Sequence, residues 1–395
     1  MLLLFWTFFT ASVYGQGTIE SINNELKISV LTCGPGTELY SMYGHNAIRI
    51  IDPDKGSDIV YNYGTFSFDE PGFMVKFLRG KLMYYVTVAP YNHFIYEYQM
   101  TNRFVNEQVL SLNYKEKIEI AEALKINLLP ENRNYKYDFF QDNCATRIRD
   151  MILKKNIAQL SPVSMTPLTF RQLIKKYQAP MPWTDFGIDL IIGAKADVIM
   201  TPNQECFIPD YLSYHLSNTK LSNTKQPIVS TDKVLFTSTP PKSRSNPWLV
   251  SLVSPYFIFI LLLLLEINLY FRAKIGKAML WFKTYDRLWV LMLSIMAVIL
   301  SFMWWGTDHV PTKTNWNLIW VIPFLVFWWF VRSKSGKNNW ILGFGNLLFL
   351  VVSLLNAVPG LNFLPQYFHP IVGIISLILI IKMLRVKPLP WKNDT

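Results

Sequence analysis

Residues 248–271 read WLVSLVSPYFIFILLLLLEINLYF. A bilayer core is crossed by roughly 20 apolar residues in a helix, and this run meets that length. It divides the chain. Charged residues are common before it and sparse after it. Four more apolar stretches follow, at Leu288–Trp305, Trp316–Val331, Trp340–Leu355 and Pro370–Leu384. The last three are short, but apolar flanks such as Phe363–Phe368 can extend them. Trp248, Tyr270, Trp304, Trp316 and Trp340 mark ends of these stretches, as an interfacial aromatic belt should. The expectation is an all-α bundle of five transmembrane helices over 248–384, with a cytoplasmic tail at 385–395. Glu266 falls inside the first stretch and reads as a snorkelling residue near the inner interface.

The connecting segments give an orientation. Arg272, Lys274, Lys277, Lys283 and Arg287 follow the first stretch; Arg332, Lys334 and Lys337 follow the third; Arg385, Lys387 and Lys392 follow the fifth. Segments 306–315 and 356–369 share a single basic residue, Lys313. Basic loops stay inside, so everything before residue 248 lies outside. The first residues, MLLLFWTFFTASVYGQ, agree: an apolar run followed by small residues reads as a signal peptide over 1–15, while the lack of a positive charge at the start leaves a retained N-terminal anchor as the alternative. The expected location is the inner membrane, multi-pass, with the N-terminal domain in the periplasm.

Net charge is +11, but residues 16–247 carry 25 Lys/Arg against 23 Asp/Glu, and the remainder carries 13 against 4. A nucleic-acid footprint would load the folded domain with basic charge. Here the excess sits in short loops between apolar stretches, so no nucleic-acid partner is expected.

The segment 16–215 reads as a folded domain. Leu26–Leu31, Asn46–Ile51, Ile59–Tyr63 and Met83–Val88 are β-rich runs. Asp69–Leu78, Lys115–Leu129 and Cys144–Leu153 read as helices. Strands lie between helices, which predicts an α+β domain. Residues 216–247, rich in Ser, Thr, Lys and Pro, read as a linker. Of the three cysteines, Cys33 and Cys206 could pair and leave Cys144 free, although nothing in the sequence fixes that pairing.

Cys144 stands out by its position. It follows Asp142-Asn143, both favoured helix N-caps, and opens an amphipathic helix. Free N–H groups and the dipole at a helix start stabilise a thiolate and can receive an oxyanion. The alternative is a buried packing cysteine. A thiolate nucleophile needs a base. His45 sits after Gly44 and before a strand-like run, whereas His93 reads as an ordinary turn histidine. On the next strand Asp58 and Asn62 share one face, so Asn62, with Asp58 second, is the candidate to orient the imidazole. Arg49 has the parity of His45 and could meet a phosphate or simply form a salt bridge. Asn143 and Arg147, beside Cys144, are further candidates for substrate contact. So is His309, which follows Asp308 in an outer loop that should lie at the bilayer surface. No His/Cys/Asp/Glu cluster has zinc-ligand spacing, so neither metal nor cofactor is expected.

The order is a histidine on an early strand, a second strand, then Asn-Cys opening a helix. It resembles the permuted papain-like folds of the NlpC/P60 and lecithin–retinol acyltransferase group. More closely, the chain resembles the Bacteroidetes lipoprotein N-acyltransferase family, Lnb. The resemblance rests on Tyr43-Gly44-His45-Asn46-Ala47-Ile48-Arg49, Tyr61-Asn62-Tyr63-Gly64, Phe77-Leu78-Arg79-Gly80-Lys81 and Phe139-Phe140-Gln141-Asp142-Asn143-Cys144-Ala145-Thr146-Arg147. Gly187-Ile188-Asp189-Leu190, Asp308-His309, Asn315 and Asn317 also match. It implies an inner-membrane enzyme that takes an acyl chain from a phospholipid donor. The acceptor would be the α-amine of a diacylated lipoprotein, reached through a Cys144 thioester with His45 as base. Two other readings stay open: a membrane-anchored cell-wall amidase or peptidase, and a non-catalytic envelope assembly protein.

Overall fold

The computed structural model describes residues 26–154, 157–165, 167–239, 251–276, 281–332, 339–358, 360–361 and 363–385. The expected signal peptide, the end of the expected linker and residues 386–395 of the tail lie outside these.

The N-terminal half is a mixed α and β domain built on an antiparallel sheet. Its strands are β1 (Lys27–Cys33), β2 (His45–Asp52), β3 (Ser57–Thr65), β4 (Met83–Pro90), β5 (Val105–Leu110), β6 (Asn134–Lys136) and β9 (Val229–Phe236), in the order β6-β4-β3-β2-β1-β5-β9. Two short strands, β7 (Ala158–Gln159) and β8 (Lys220–Leu221), pair separately. The helices of this half are α1 (Phe73–Leu78), α2 (Tyr91–Met100), α3 (Tyr114–Leu128), α4 (Cys144–Lys154), α5 (Phe170–Gln178), α6 (Pro182–Ile191), α7 (Pro202–Glu205) and α8 (Pro209–Ser217).

Alternation along the strands makes both sheet faces apolar, and each face is covered. Ile28, Val30, Ile48, Ile50, Tyr61 and Tyr63 pack with Ile120 and Leu124 of α3, Ala145 and Ile148 of α4, and Leu212 of α8. On the opposite face Leu31, Cys33, Ala47 and Val60 pack under Phe94 and Tyr98 of α2. Helix starts are fixed locally. Asn113 with Glu116, and Thr169 with Gln172, form reciprocal capping boxes at α3 and α5.

Two expectations are corrected, and the open question of a cysteine pairing is answered. The stretch 216–247 is not a linker throughout. Residues 229–236 form the edge strand β9 on β5, because its β-branched and apolar positions find a partner that composition alone does not reveal. His93 lies in helix α2, not in a turn. Cys33, Cys144 and Cys206 are all free thiols, so no Cys33–Cys206 disulfide exists.

The C-terminal half is helical: α9 (Pro255–Lys274), α10 (Trp281–Ser301, continued by a π-helical turn at Phe302–Gly306), α11 (Leu318–Arg332), α12 (Asn339–Asn356) and α13 (Pro370–Arg385). Among the described residues two helices are long and apolar enough to cross a membrane, at Pro255–Lys274 and Phe282–Gly306. Glu266 does not snorkel. It is buried and meets Lys382 at 2.7 Å and Arg385 at 2.8 Å, and Asp286 meets the same two cations. Charges this deep persist only when paired. The network ties α9, α10 and α13 together at one end of the helices.

At the other end the helices meet the N-terminal domain. Asn315 donates through Nδ2 to the carbonyls of Leu190 (2.8 Å) and Ile191 (2.9 Å), and Asn317 donates to Leu190 at 3.0 Å. The amides of Gly193 and Ala194 donate to Pro311 and Thr314 at 2.9 and 3.0 Å. A Cβ on Gly193 would come within 2.1 Å of the Lys313 carbonyl oxygen, so only glycine permits this approach.

Candidate active site

His45 is the first residue of β2, Asn62 lies on β3 and Cys144 opens α4. The strands are neighbours, and α4 packs across both. Gly44, at φ +81°, turns the chain into β2; a side chain there would meet the Cys33 carbonyl oxygen at 2.7 Å. Asn143 caps α4. Its Oδ1 accepts from the Thr146 amide at 2.9 Å, and its Nδ2 donates to the carbonyls of Phe139 and Phe207 at 2.8 Å each. The start of α4 is therefore anchored on three sides.

The His45 imidazole and the Cys144 thiol are neighbours close enough to shift each other's charge. His45 Nε2 lies 3.3 Å from Asn62 Oδ1. An amide oxygen only accepts, so Nε2 carries the proton. Nδ1 is then the ring nitrogen left to face the thiol. Burial is the largest influence on both groups, and it opposes charging them. For Cys144 the charge of the neighbouring His45 and the backbone amides of Asn46 and Ala145 prevail, and its pKa falls below the ordinary thiol value. For His45 the nearby Cys144 and the bond to Asn62 prevail, and its pKa rises. The arrangement favours a thiolate–imidazolium pair. Cys33 and Cys206 are pushed the opposite way by burial, Cys206 to about 12.

The remaining candidates fall elsewhere. Arg49 is a buried structural cation: it forks onto Asp58 at 2.8 and 2.6 Å, meets Glu107 at 3.1 Å and stacks on Tyr91. Asp58 is consumed by Arg49. Arg147 forks onto Asp142 and lies 3.9 Å over the Tyr135 ring, close to Cys144. The side chain of Asn143 is used up in capping. His309 donates to the Phe77 carbonyl at 3.0 Å and sits over Gly80, so it joins the outer loop to α1.

The sequence reading missed the aromatic wall around the thiol. Gly64, at φ +90°, lies beside Cys144; a Cβ there would be 3.8 Å from Cys144 Cβ, 3.9 Å from the Tyr135 hydroxyl and 4.0 Å from the Tyr137 ring. Tyr137 stacks on Tyr84 at 4.4 Å. The two-residue spacing of Tyr135 and Tyr137, which puts both on one face, was the available signal.

Asp185, Asp189 and His369 bring potential metal-ligand atoms within 4.8 Å of one another. Lys175 Nζ already lies 2.9 Å from Asp185 and 2.6 Å from Asp189. The cluster is an ion-pair junction between the two halves. A cleft of about 680 Å³ beside it is lined by Arg171, Lys175, Lys195 and Tyr367, and by none of Cys144, His45 or Asn62.

A neighbouring thiol and imidazole thus lie on a sheet-based domain joined to apolar helices, two of them long enough to cross a membrane among the described residues. The Lnb N-terminal periplasmic domain matches residues 18–176, and the Lnb transmembrane domain matches residues 246–389. The chain belongs to the Lnb family, and its halves are that family's periplasmic and transmembrane domains. No curated protein and no solved structure matches it.

Proposed function

We propose that the chain is a lipoprotein N-acyltransferase of the inner membrane, with all five C-terminal helices spanning the bilayer and Cys144 as nucleophile. The observation that carries this reading is the Cys144–His45–Asn62 arrangement in a domain fastened to the outer ends of membrane helices. Family membership supports a role in lipoprotein biosynthesis. The order His45, Asn62, Cys144 along the chain supports the likeness to permuted papain-like acyltransferases.

In the first half-reaction the Cys144 thiolate attacks the ester carbonyl of a phospholipid. The carbonyl oxygen becomes an oxyanion, which the backbone amides of Asn46 and Ala145 beside the sulfur are available to receive. Collapse breaks the ester C–O bond. His45 protonates the departing alkoxide, and lysophospholipid leaves a thioester on Cys144. In the second half-reaction the α-amine of an S-diacylglyceryl cysteine attacks the thioester. His45 takes a proton from the amine, the C–S bond breaks, and the amide product leaves with the thiolate restored. Asn62 keeps the imidazole in the tautomer that both steps use. An anchored enzyme also avoids drawing an acyl chain into water, which costs about 0.8 kcal/mol per methylene.

The test is reconstitution of the full chain with phospholipid and a diacylated lipoprotein. The expected product carries one more amide-linked acyl chain, with lysophospholipid released in equal amount. Free fatty acid without acylated acceptor would make the protein a lipase. Cleavage of a wall peptide without lipid turnover would make it an amidase.

A further inference from the structure

Helix α1 and the segment before it expose a cluster of apolar side chains. Met74 and Val75 are each 61% exposed, and Phe68, just before the helix, is 66% exposed. Leu78 and Phe77 add to the patch. A contiguous apolar surface of this kind marks a partner or a membrane.

Its neighbours say which. The outer loop that follows α10 is fastened to the end of α1: the Asp308 amide donates to the Arg79 carbonyl at 2.9 Å, and His309 Nε2 donates to Phe77 at 3.0 Å. Just before that loop Trp304 and Trp305 stack at 4.6 Å, with Trp305 65% exposed. Tryptophans at the end of an apolar helix mark the headgroup level of a bilayer. The patch is thus held beside the depth marker of an established transmembrane domain. Arg79 and Lys81 are exposed at its border, where cations meet lipid phosphate.

The patch is also connected to the thiol. Phe68 and Phe73 both pack on Phe66, at 5.0 and 6.0 Å between ring centres. Phe66 packs on Tyr84 at 5.2 Å, and Tyr84 on Tyr137 at 4.4 Å. Tyr137 borders Cys144 across Gly64, where the absent side chain leaves the approach open. These contacts make one unbroken aromatic ladder from the exposed surface to the site.

We propose that α1 lies in the periplasmic headgroup layer and that the ladder Phe73–Phe66–Tyr84–Tyr137 guides one acyl chain of a bilayer phospholipid to Cys144. This rests on the acyltransferase reading and adds a donor path to it. An apolar wall holds the chain out of water while its ester carbon reaches the sulfur. It also shields the thioester from hydrolysis once formed.

The experiment measures thioester formation on Cys144 in a single turnover by mass spectrometry of the full chain in bilayers. Two donors are compared: long-chain phosphatidylethanolamine within the vesicle, and monomeric short-chain phosphatidylethanolamine added from water. The double variant Met74→Asp/Val75→Asp and the single variant Phe68→Asp change exposed positions only. For both, the ratio of vesicle-donor rate to monomeric-donor rate should fall about tenfold, equivalent to 1.4 kcal/mol. A ratio within about twofold of the parent would overturn the path, whether both rates hold or both drop together. If the unaltered protein forms no thioester from either donor, it is the acyltransferase reading that falls.

Discussion

At the residue scale the reactivity of Cys144 depends on its neighbour. With His45 charged beside it, the thiolate persists to lower pH than an ordinary cysteine allows, and the raised imidazole stays protonated to higher pH. The pair therefore exists between the lowered thiol pKa and the raised imidazole pKa. Alkylation by iodoacetamide followed against pH should show Cys144 reacting below the ordinary thiol range. His45→Ala removes the cation, so its midpoint should move up; an unmoved midpoint would mean that the pair does not form. Cys33 and Cys206 should stay silent, since burial raises both. In acylation assays Cys144→Ala should lose roughly ten-thousand-fold. Asn62→Ala should lose about tenfold, the worth of one orienting hydrogen bond.

At the scale of elements the seam between the halves is made of backbone. Asn315 and Asn317 reach across to the end of α6, and Gly193 lies against Lys313. Gly193→Val must push these backbones apart. Acylation should drop at least about tenfold, while the circular dichroism of the protein stays that of the parent; full activity would show that docking at this seam is dispensable. Arg171 is a different case. It is 1% exposed, holds Asp189 and Asp197, and also donates to the carbonyls of Ile192 and Gly193. Arg171→Met leaves Asp189 with Lys175 but takes from Asp197 its ion-pair partner, and loss of one partner of a buried pair costs about 3–5 kcal/mol. A clear fall in melting temperature is expected. A smaller fall for Arg171→Met combined with Asp197→Asn would confirm that the stranded charge is the cause.

At the scale of the whole molecule the topology decides where the chemistry occurs. Val310 is exposed in the loop that meets α1, and Ile275 is exposed at the far end of α9. With Cys144 replaced by alanine, Val310→Cys should react with an impermeant maleimide added from the periplasmic side, and Ile275→Cys should not. The reverse pattern would invert the protein and place the site on the cytoplasmic side. Thr312 in the same loop is unsuitable as a reporter, because it is buried with its hydroxyl donating to Met303.

Local signals in the sequence determined much of this protein. Apolar length and basic loops divide the chain, and alternation gives β1 to β4. A polar cap ahead of Cys144, and a glycine ahead of His45, mark both members of the dyad. These features are legible because each is written in adjacent residues. Other properties belong to the tertiary structure alone. Arg49 is structural because Asp58 and Glu107 converge on it from two other strands. Residues 229–236 become a strand only because β5 presents an open edge. Glu266 is buried because Lys382 and Arg385 arrive from a helix more than a hundred positions away. The wall of Tyr84, Tyr135 and Tyr137 exists only where separate strands close around Gly64. Each of these depends on charges or rings meeting across long separations in sequence, and a linear pattern carries no record of which partner the fold will bring.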